Sequence, residues 1–115
     1  MSMTKGALRE KLKTLPFFSE LRYGLEVKDG WLDLLSELGL AVTLQFPEVR
    51  ADRVKVKFGG LRVSYPSAYH HPELETLIRA AASRAVNTCE ECGASPADLV
   101  SKRGWGFTLC AGCAK

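Results

Sequence analysis

The stretch Arg53-Val54-Lys55-Val56-Lys57-Phe58-Gly59-Gly60-Leu61-Arg62-Val63-Ser64-Tyr65 reads as two short β-strands joined at a glycine pair. Apolar and charged residues alternate on both sides of the glycines, the period of a half-buried strand. A two-residue Gly59-Gly60 turn of the primed type pairs Phe58 with Leu61, Lys57 with Arg62, Val56 with Val63, Lys55 with Ser64 and Val54 with Tyr65. This register predicts a core face of Val54, Val56, Phe58, Leu61, Val63 and Tyr65. Arg53, Lys55, Lys57, Arg62 and Ser64 then share the opposite face.

The neighbouring segments complete a small α+β fold. Leu40, Val42, Leu44 and Phe46 alternate with Ala41, Thr43 and Gln45 up to Pro47, which predicts a third strand and, with the hairpin, a three-stranded antiparallel meander. Leu8, Leu12 and Leu15 recur at helical spacing between Thr4 and Pro16, so a first helix is expected over Thr4 to Leu15. Phe17 and Phe18 follow as an aromatic knot that packs on the core or, if exposed in a loop, anchors a partner. A second helix is expected from Gly30 to Leu38, with Asp29 as N-cap, Trp31, Leu34, Leu35 and Leu38 on one face, and Gly39 as its stop. Pro72 suits the first position of a longer helix reaching about Val86, whose face of Leu74, Leu77, Ile78, Ala81, Ala85 and Val86 covers the sheet.

Two C-x-x-C pairs close the sequence, Cys89-Glu90-Glu91-Cys92-Gly93 and Cys110-Ala111-Gly112-Cys113. Each pair places two thiolates on a tight knuckle, and two facing knuckles supply four soft ligands for a tetrahedral Zn²⁺. Cys89, Cys92, Cys110 and Cys113 are therefore the expected metal ligands. Four thiolates leave no open coordination position, so the zinc is structural. Between the knuckles, Leu99 to Lys102 and Trp105 to Leu109 form a second hairpin around Arg103-Gly104. Two disulfides are the rival reading, but they require an oxidising compartment, and Met1-Ser2-Met3-Thr4-Lys5-Gly6 leads into a charged stretch with no apolar leader core. The expected location is the cytoplasm. A redox C-x-x-C would need one exposed thiolate and no second pair. Residues 1–87 are thus expected to form the α+β core and residues 88–115 a zinc ribbon packed on it, since the long helix runs almost directly into Cys89.

With these motifs in view, the chain resembles a set of uncharacterised small bacterial and phage proteins with a K-x-K-F-G-G-L-R segment, a helix, then T-C-E-x-C-G, G-W and T-L-C. Here they are Lys55 to Arg62, Thr88 to Gly93, Gly104-Trp105 and Thr108-Leu109-Cys110. The match covers about the C-terminal half. Ala94-Ser95-Pro96-Ala97 replaces a Pro-Gly usual after the first knuckle, and Cys113 stands where histidine is often the last ligand. The resemblance implies the architecture and carries no activity with it.

Composition narrows the function classes. The 115 residues are 46% hydrophobic with a net charge of +3, and no long apolar run predicts a membrane span. The charge is uneven: from Arg50 to Arg62 five basic residues face a single acid, Asp52. Catalytic constellations are thin. His70-His71-Pro72-Glu73 can be drawn as a second metal site or general base, but adjacent histidines point apart, and a loop or N-cap role explains them better. Gly59-Gly60 is accounted for by its turn and not by a phosphate, and Glu90 and Glu91 are expected to face solvent. The expected function is therefore non-enzymatic binding. Its leading form is a protein-binding module for an acidic partner, of inhibitor, immunity or adaptor type in bacteria or phage. The alternative is nucleic-acid binding through Arg53, Lys55, Lys57 and Arg62. Exposed Phe17, Phe18 or Trp31 beside that face would favour a protein; exposed Tyr65 and Trp105 with Arg103 would favour nucleic acid.

Overall fold

The computed structural model describes residues 4–114; Met1, Ser2, Met3 and Lys115, within the expected unit boundaries, lie outside the described residues. Three helices, α1 (Lys5–Leu12), α2 (Leu32–Gln45) and α3 (Pro72–Ala85), pack on a sheet of β1 (Leu25–Glu26), β2 (Arg53–Lys57) and β3 (Gly60–Ser64), and a hairpin of β4 (Asp98–Lys102) and β5 (Trp105–Leu109) follows. The class is α+β, as expected.

The sheet is mixed and not an antiparallel meander. Its order is β1-β2-β3, with β2 and β3 antiparallel and β1 parallel to β2, Leu25 lying beside Val54 and Glu26 beside Lys55. The residues expected as the third strand, Leu40 to Phe46, belong to α2 up to Gln45. Their alternation was misleading because Leu40 and Leu44 are exposed, Leu44 by 82%, while the buried set Leu34, Leu35, Leu38 and Val42 recurs at three and four residues. Gly39 does not stop the helix. It lies inside it, buried, where a Cβ would come within 2.7 Å of the Phe18 ring and 2.8 Å of Leu15. Asp29 opens a short 3₁₀ turn (Asp29–Trp31) instead of capping α2, and its carboxylate accepts from Arg9 at 3.0 Å. Pro47, two residues past the last helical residue, marks the end of α2.

The hairpin has the expected faces in a different register. Val54 pairs with Val63, Lys55 with Arg62, Val56 with Leu61 and Lys57 with Gly60, so the turn is Phe58-Gly59 and not Gly59-Gly60. Both turn residues are left-handed, at φ +53° and +74°. The slip moves every partner by two positions and so preserves facing, because side chains alternate with period two. It transfers Phe58 from the core face to the turn, where it is 79% exposed. Tyr65 is half-buried and donates its hydroxyl to Glu75 at 2.9 Å.

Other parts follow the sequence closely. Thr4 caps α1, which ends three residues short of Leu15. Phe17 and Phe18 are buried with rings 5.0 Å apart, in the same core as Trp31, Leu12, Leu35, Val54 and Leu74. Pro72 is the first residue of α3, and His71 caps it by accepting the Glu73 backbone N–H at Nδ1. A separate small cluster of Cys89, Ala97 and Leu109 holds the ribbon.

Candidate metal centre and binding surface

The ribbon is built from the knuckles outward. The Cys89 N–H donates to Ala94 O at 2.9 Å and the Gly93 N–H to Cys89 O at 2.8 Å, closing a loop whose Gly93 has φ +81°. Ala114 N–H donates to Cys110 O at 3.0 Å in the second knuckle. β4 and β5 join them through a two-residue turn at Arg103-Gly104, with φ of +52° and +80°. The ends of this hairpin bring the knuckles together.

All four sulfurs lie within 4.8 Å of one another, and Cys92 and Cys110 Sγ are 3.6 Å apart. Four thiolates around one ion at about 2.3 Å stand about 3.8 Å from each other, so the arrangement fits a tetrahedral metal centre. The four cysteines are free thiols, Cys89 buried, Cys110 and Cys113 half-buried and Cys92 exposed. Burial pushes Cys89 up, but backbone N–H groups of Cys110, Cys92 and Glu91, with the Cys113 thiol, overcome it and bring Cys89 down to about 6. Cys110 is also lowered, first by the Cys113 backbone. The Ala94 backbone pulls Cys92 down, yet the neighbouring Cys110 and Cys89 sulfurs leave it raised. Cys113 is pushed up to about 12 by the sulfurs of Cys89, Cys110 and Cys92.

Two contacts seat the ribbon on the core. Gly30 N–H donates to Glu90 O at 2.9 Å, and the Trp31 indole N–H donates to Thr88 O at 2.8 Å inside the protein. On the other side, the Thr108 hydroxyl donates to Gly59 O at 2.5 Å, so the tip of the first hairpin rests on β5. Glu90, expected to face solvent, is 1% exposed. Its Oε2 accepts the Thr108 N–H at 3.3 Å and its Oε1 lies 3.8 Å from Lys28 Nζ. Burial raises the Glu90 pKa, against the pull of the Thr108 N–H and Lys28. Glu91 is exposed and pairs with Lys28.

The four basic residues singled out on the hairpin share one face of the sheet but differ in availability. Arg53 is committed: its guanidinium grips Glu26 at 2.7 and 3.0 Å, holding that carboxyl below its usual range, and stacks over Tyr23 at 4.8 Å. Lys55 is half-buried and sits directly across from Arg62. Lys57 and Arg62 are exposed, and among the described residues neither makes an ion pair. The directly opposed like charges of Lys55 and Arg62 cost stability in a sheet, and the exposed Lys57 and Arg62 are open to an anion.

The surface also carries aromatic residues. Trp105 is 72% exposed two positions from Arg103, and Phe58 projects beside Lys57, whose Nζ is 5.8 Å from the ring. Lys28 Nζ lies 5.0 Å over Phe107. Between the strand edges at Leu25–Lys28 and Val56–Phe58, and the ribbon at Glu90 and Gly104–Phe107, runs a groove of about 670 Å³. Sequence reasoning missed Phe58, Lys28 and Glu90; the usable signal was that either Phe58-Gly59 or Gly59-Gly60 can form a primed turn.

No protein-family model, curated protein or solved structure matches the chain. Its function must therefore be argued from the cysteine cluster and the surface around the groove. Among the described residues, no helix is long and apolar enough to cross a membrane.

Proposed function

We propose that the chain is a non-enzymatic, zinc-stapled module that binds single-stranded nucleic acid along the basic hairpin face and the ribbon tip. Zinc is the ion that four clustered thiolates in tetrahedral array suit, and a closed four-sulfur shell gives it a structural role. A reducing cytoplasm keeps such thiols available.

The observation that carries the binding reading is exposed aromatic surface beside uncommitted cations: Phe58 with Lys57 Nζ 5.8 Å from its ring, and Trp105, 72% exposed, on the ribbon tip that also carries exposed Arg103. Single strands are held by this combination, bases stacking on rings while cations follow the phosphates. Phe17, Phe18 and Trp31, the anchors that would have favoured a protein partner, are buried in the core. Tyr65, named for nucleic acid, is half-buried and takes no part.

A second reading keeps the acidic protein partner. It rests on Leu99, 67% exposed, whose methyl lies 2.5 Å from where a Gly59 Cβ would stand, next to exposed Phe58. An apolar patch with a basic rim also fits a protein hot spot.

Fluorescence anisotropy with labelled single- and double-stranded DNA and RNA, at about 50 mM and about 200 mM salt, separates the two. Binding of single strands that weakens steeply with salt and is lost in Lys57→Glu, Arg62→Glu supports the nucleic-acid reading. Absence of binding at the lower salt sinks it and leaves the acidic protein partner.

A further inference from the structure

We propose that β4 is a docking edge for a second copy of this chain, the two β4 strands pairing antiparallel about a two-fold axis at Val100 so that both ribbons join in one four-stranded sheet. This inference goes beyond the single-strand reading and does not depend on it.

The backbone of β4 is open on its outer side. The two-residue turn at Arg103-Gly104 makes Lys102 and Trp105 the closing hydrogen-bonded pair, so Asp98, Val100 and Lys102 bond to β5, while the N–H and C=O groups of Leu99 and Ser101 point away from it. β5 shows the same alternation: Thr108, opposite Leu99, uses its N–H and C=O on Glu90 and not on β4. Among the described residues the outward groups of Leu99 and Ser101 have no backbone partner, and the Leu99 side chain is 67% exposed. An edge strand with such groups free is a template for another strand.

The sequence Asp98-Leu99-Val100-Ser101-Lys102 selects its own copy as that strand. In an antiparallel pair centred on Val100, Asp98 of each copy stands opposite Lys102 of the other, Leu99 opposite Ser101, and Val100 opposite Val100. Asp98 and Lys102 are exposed, and among the described residues neither makes an ion pair, so opposite charges meet in register at both ends of the seam. The outward groups of Leu99 and Ser101 become the hydrogen-bonded pairs, and the two Leu99 side chains become diagonal neighbours. Two-fold symmetry makes each contact occur twice. The other edges do not offer this match. The same operation on β3, centred on its middle residue, sets exposed Arg62 against Arg62. β1 has two residues, and the outer edge of β5 is taken at Thr108 by Glu90. A seam of one short strand from each copy is a small interface, so the dimer belongs to the weak, concentration-dependent class.

The test is sedimentation equilibrium of the zinc-loaded full chain, without nucleic acid, from about 5 µM to about 500 µM. The expected result is a reversible monomer–dimer equilibrium within that range. Asp98→Lys sets like charges against each other at both ends of the seam, and so does Lys102→Asp; each alone is expected to weaken self-association about tenfold or more. An equimolar mixture of the two variants restores opposite charges at both ends, and is expected to form a heterodimer about as tight as the dimer of the unaltered chain. The double variant Asp98→Lys, Lys102→Asp is expected to dimerise by itself. Far-UV circular dichroism establishes that each variant is folded, and recovery in the mixture excludes a folding defect as the cause of the loss. A chain that stays monomeric throughout the range overturns the proposal. A dimer indifferent to both single variants, or lost in folded variants without recovery in the mixture, overturns the β4 seam.

Discussion

Gly30 and Cys89 meet so closely that a Cβ on Gly30 would lie 2.1 Å from the Cys89 carbonyl oxygen. The same Gly30 donates its N–H to Glu90 O, so the first cysteine knuckle is seated directly on the core. Gly30→Ala is expected to push the ribbon off this seat and destabilise the protein by about 1–3 kcal/mol. Thermal denaturation of the zinc-loaded variant checks it, and an unchanged Tm would mean that the seat is soft.

Cys92 is the most exposed of the four sulfurs, and its replacement leaves the buried packing of Cys89 and Leu109 in place. Cys92→Ser is expected to reduce bound zinc from one per chain to a fraction of that and to lower Tm, because a small ribbon draws its folding energy from the metal. Elemental analysis after dialysis against a weak chelator measures the first effect. Undiminished zinc in the variant would remove the four-cysteine site.

Zinc binding should release protons. Metal ligation requires thiolates, while in the metal-free cluster Cys113 is pushed up to about 12 and Cys92 is also raised, so both carry protons near neutral pH. Cys89, at about 6, is already a thiolate there. Affinity therefore rises with pH across the neutral range and falls steadily as pH drops, with a loss that steepens once the solution passes below the Cys89 value. Calorimetry in buffers of different ionisation enthalpy counts the protons; zero release at neutral pH would contradict the assignment.

Phe58 holds a left-handed backbone at φ +53°, a conformation that a bulky residue occupies at a cost. Asparagine tolerates it better. Phe58→Asn is expected to raise stability by about 0.5–1 kcal/mol while weakening single-strand binding several-fold. Denaturant titration and anisotropy on the same preparation test the opposition. A variant both more stable and equally tight in binding would remove Phe58 from the binding surface.

Much of the architecture was legible in sequence because the signals were local. Pro72 fixed the start of α3, the two knuckles and Arg103-Gly104 fixed the ribbon hairpin, and Val54, Val56, Leu61 and Val63 fixed the core face of β2 and β3. What escaped depends on contacts distant in sequence. Leu40 to Phe46 alternates like a strand, but α2 is chosen by packing of Leu35, Leu38 and Val42 and by Phe18 filling the space above Gly39. β1 has two residues, too short for any periodicity to announce, and is defined by its partner Val54-Lys55. Glu90 is buried by Thr108 and Lys28, one from the end of the ribbon and one from before α2. The hairpin register was undecidable locally, since two overlapping dipeptides both suit a primed turn.

The groove has one wall from residues 25–28 and the other from residues 104–107, joined through pairs as distant as Lys28 with Glu91, 63 residues apart. Local hairpins and helices close early, whereas such long loops close late. The basic strand face can therefore form before the ribbon packs on the core, but the groove cannot. On the proposed zinc-binding reading, metal supply would act as an assembly checkpoint: a chain starved of metal is expected to present its basic strand face without the recess beside it.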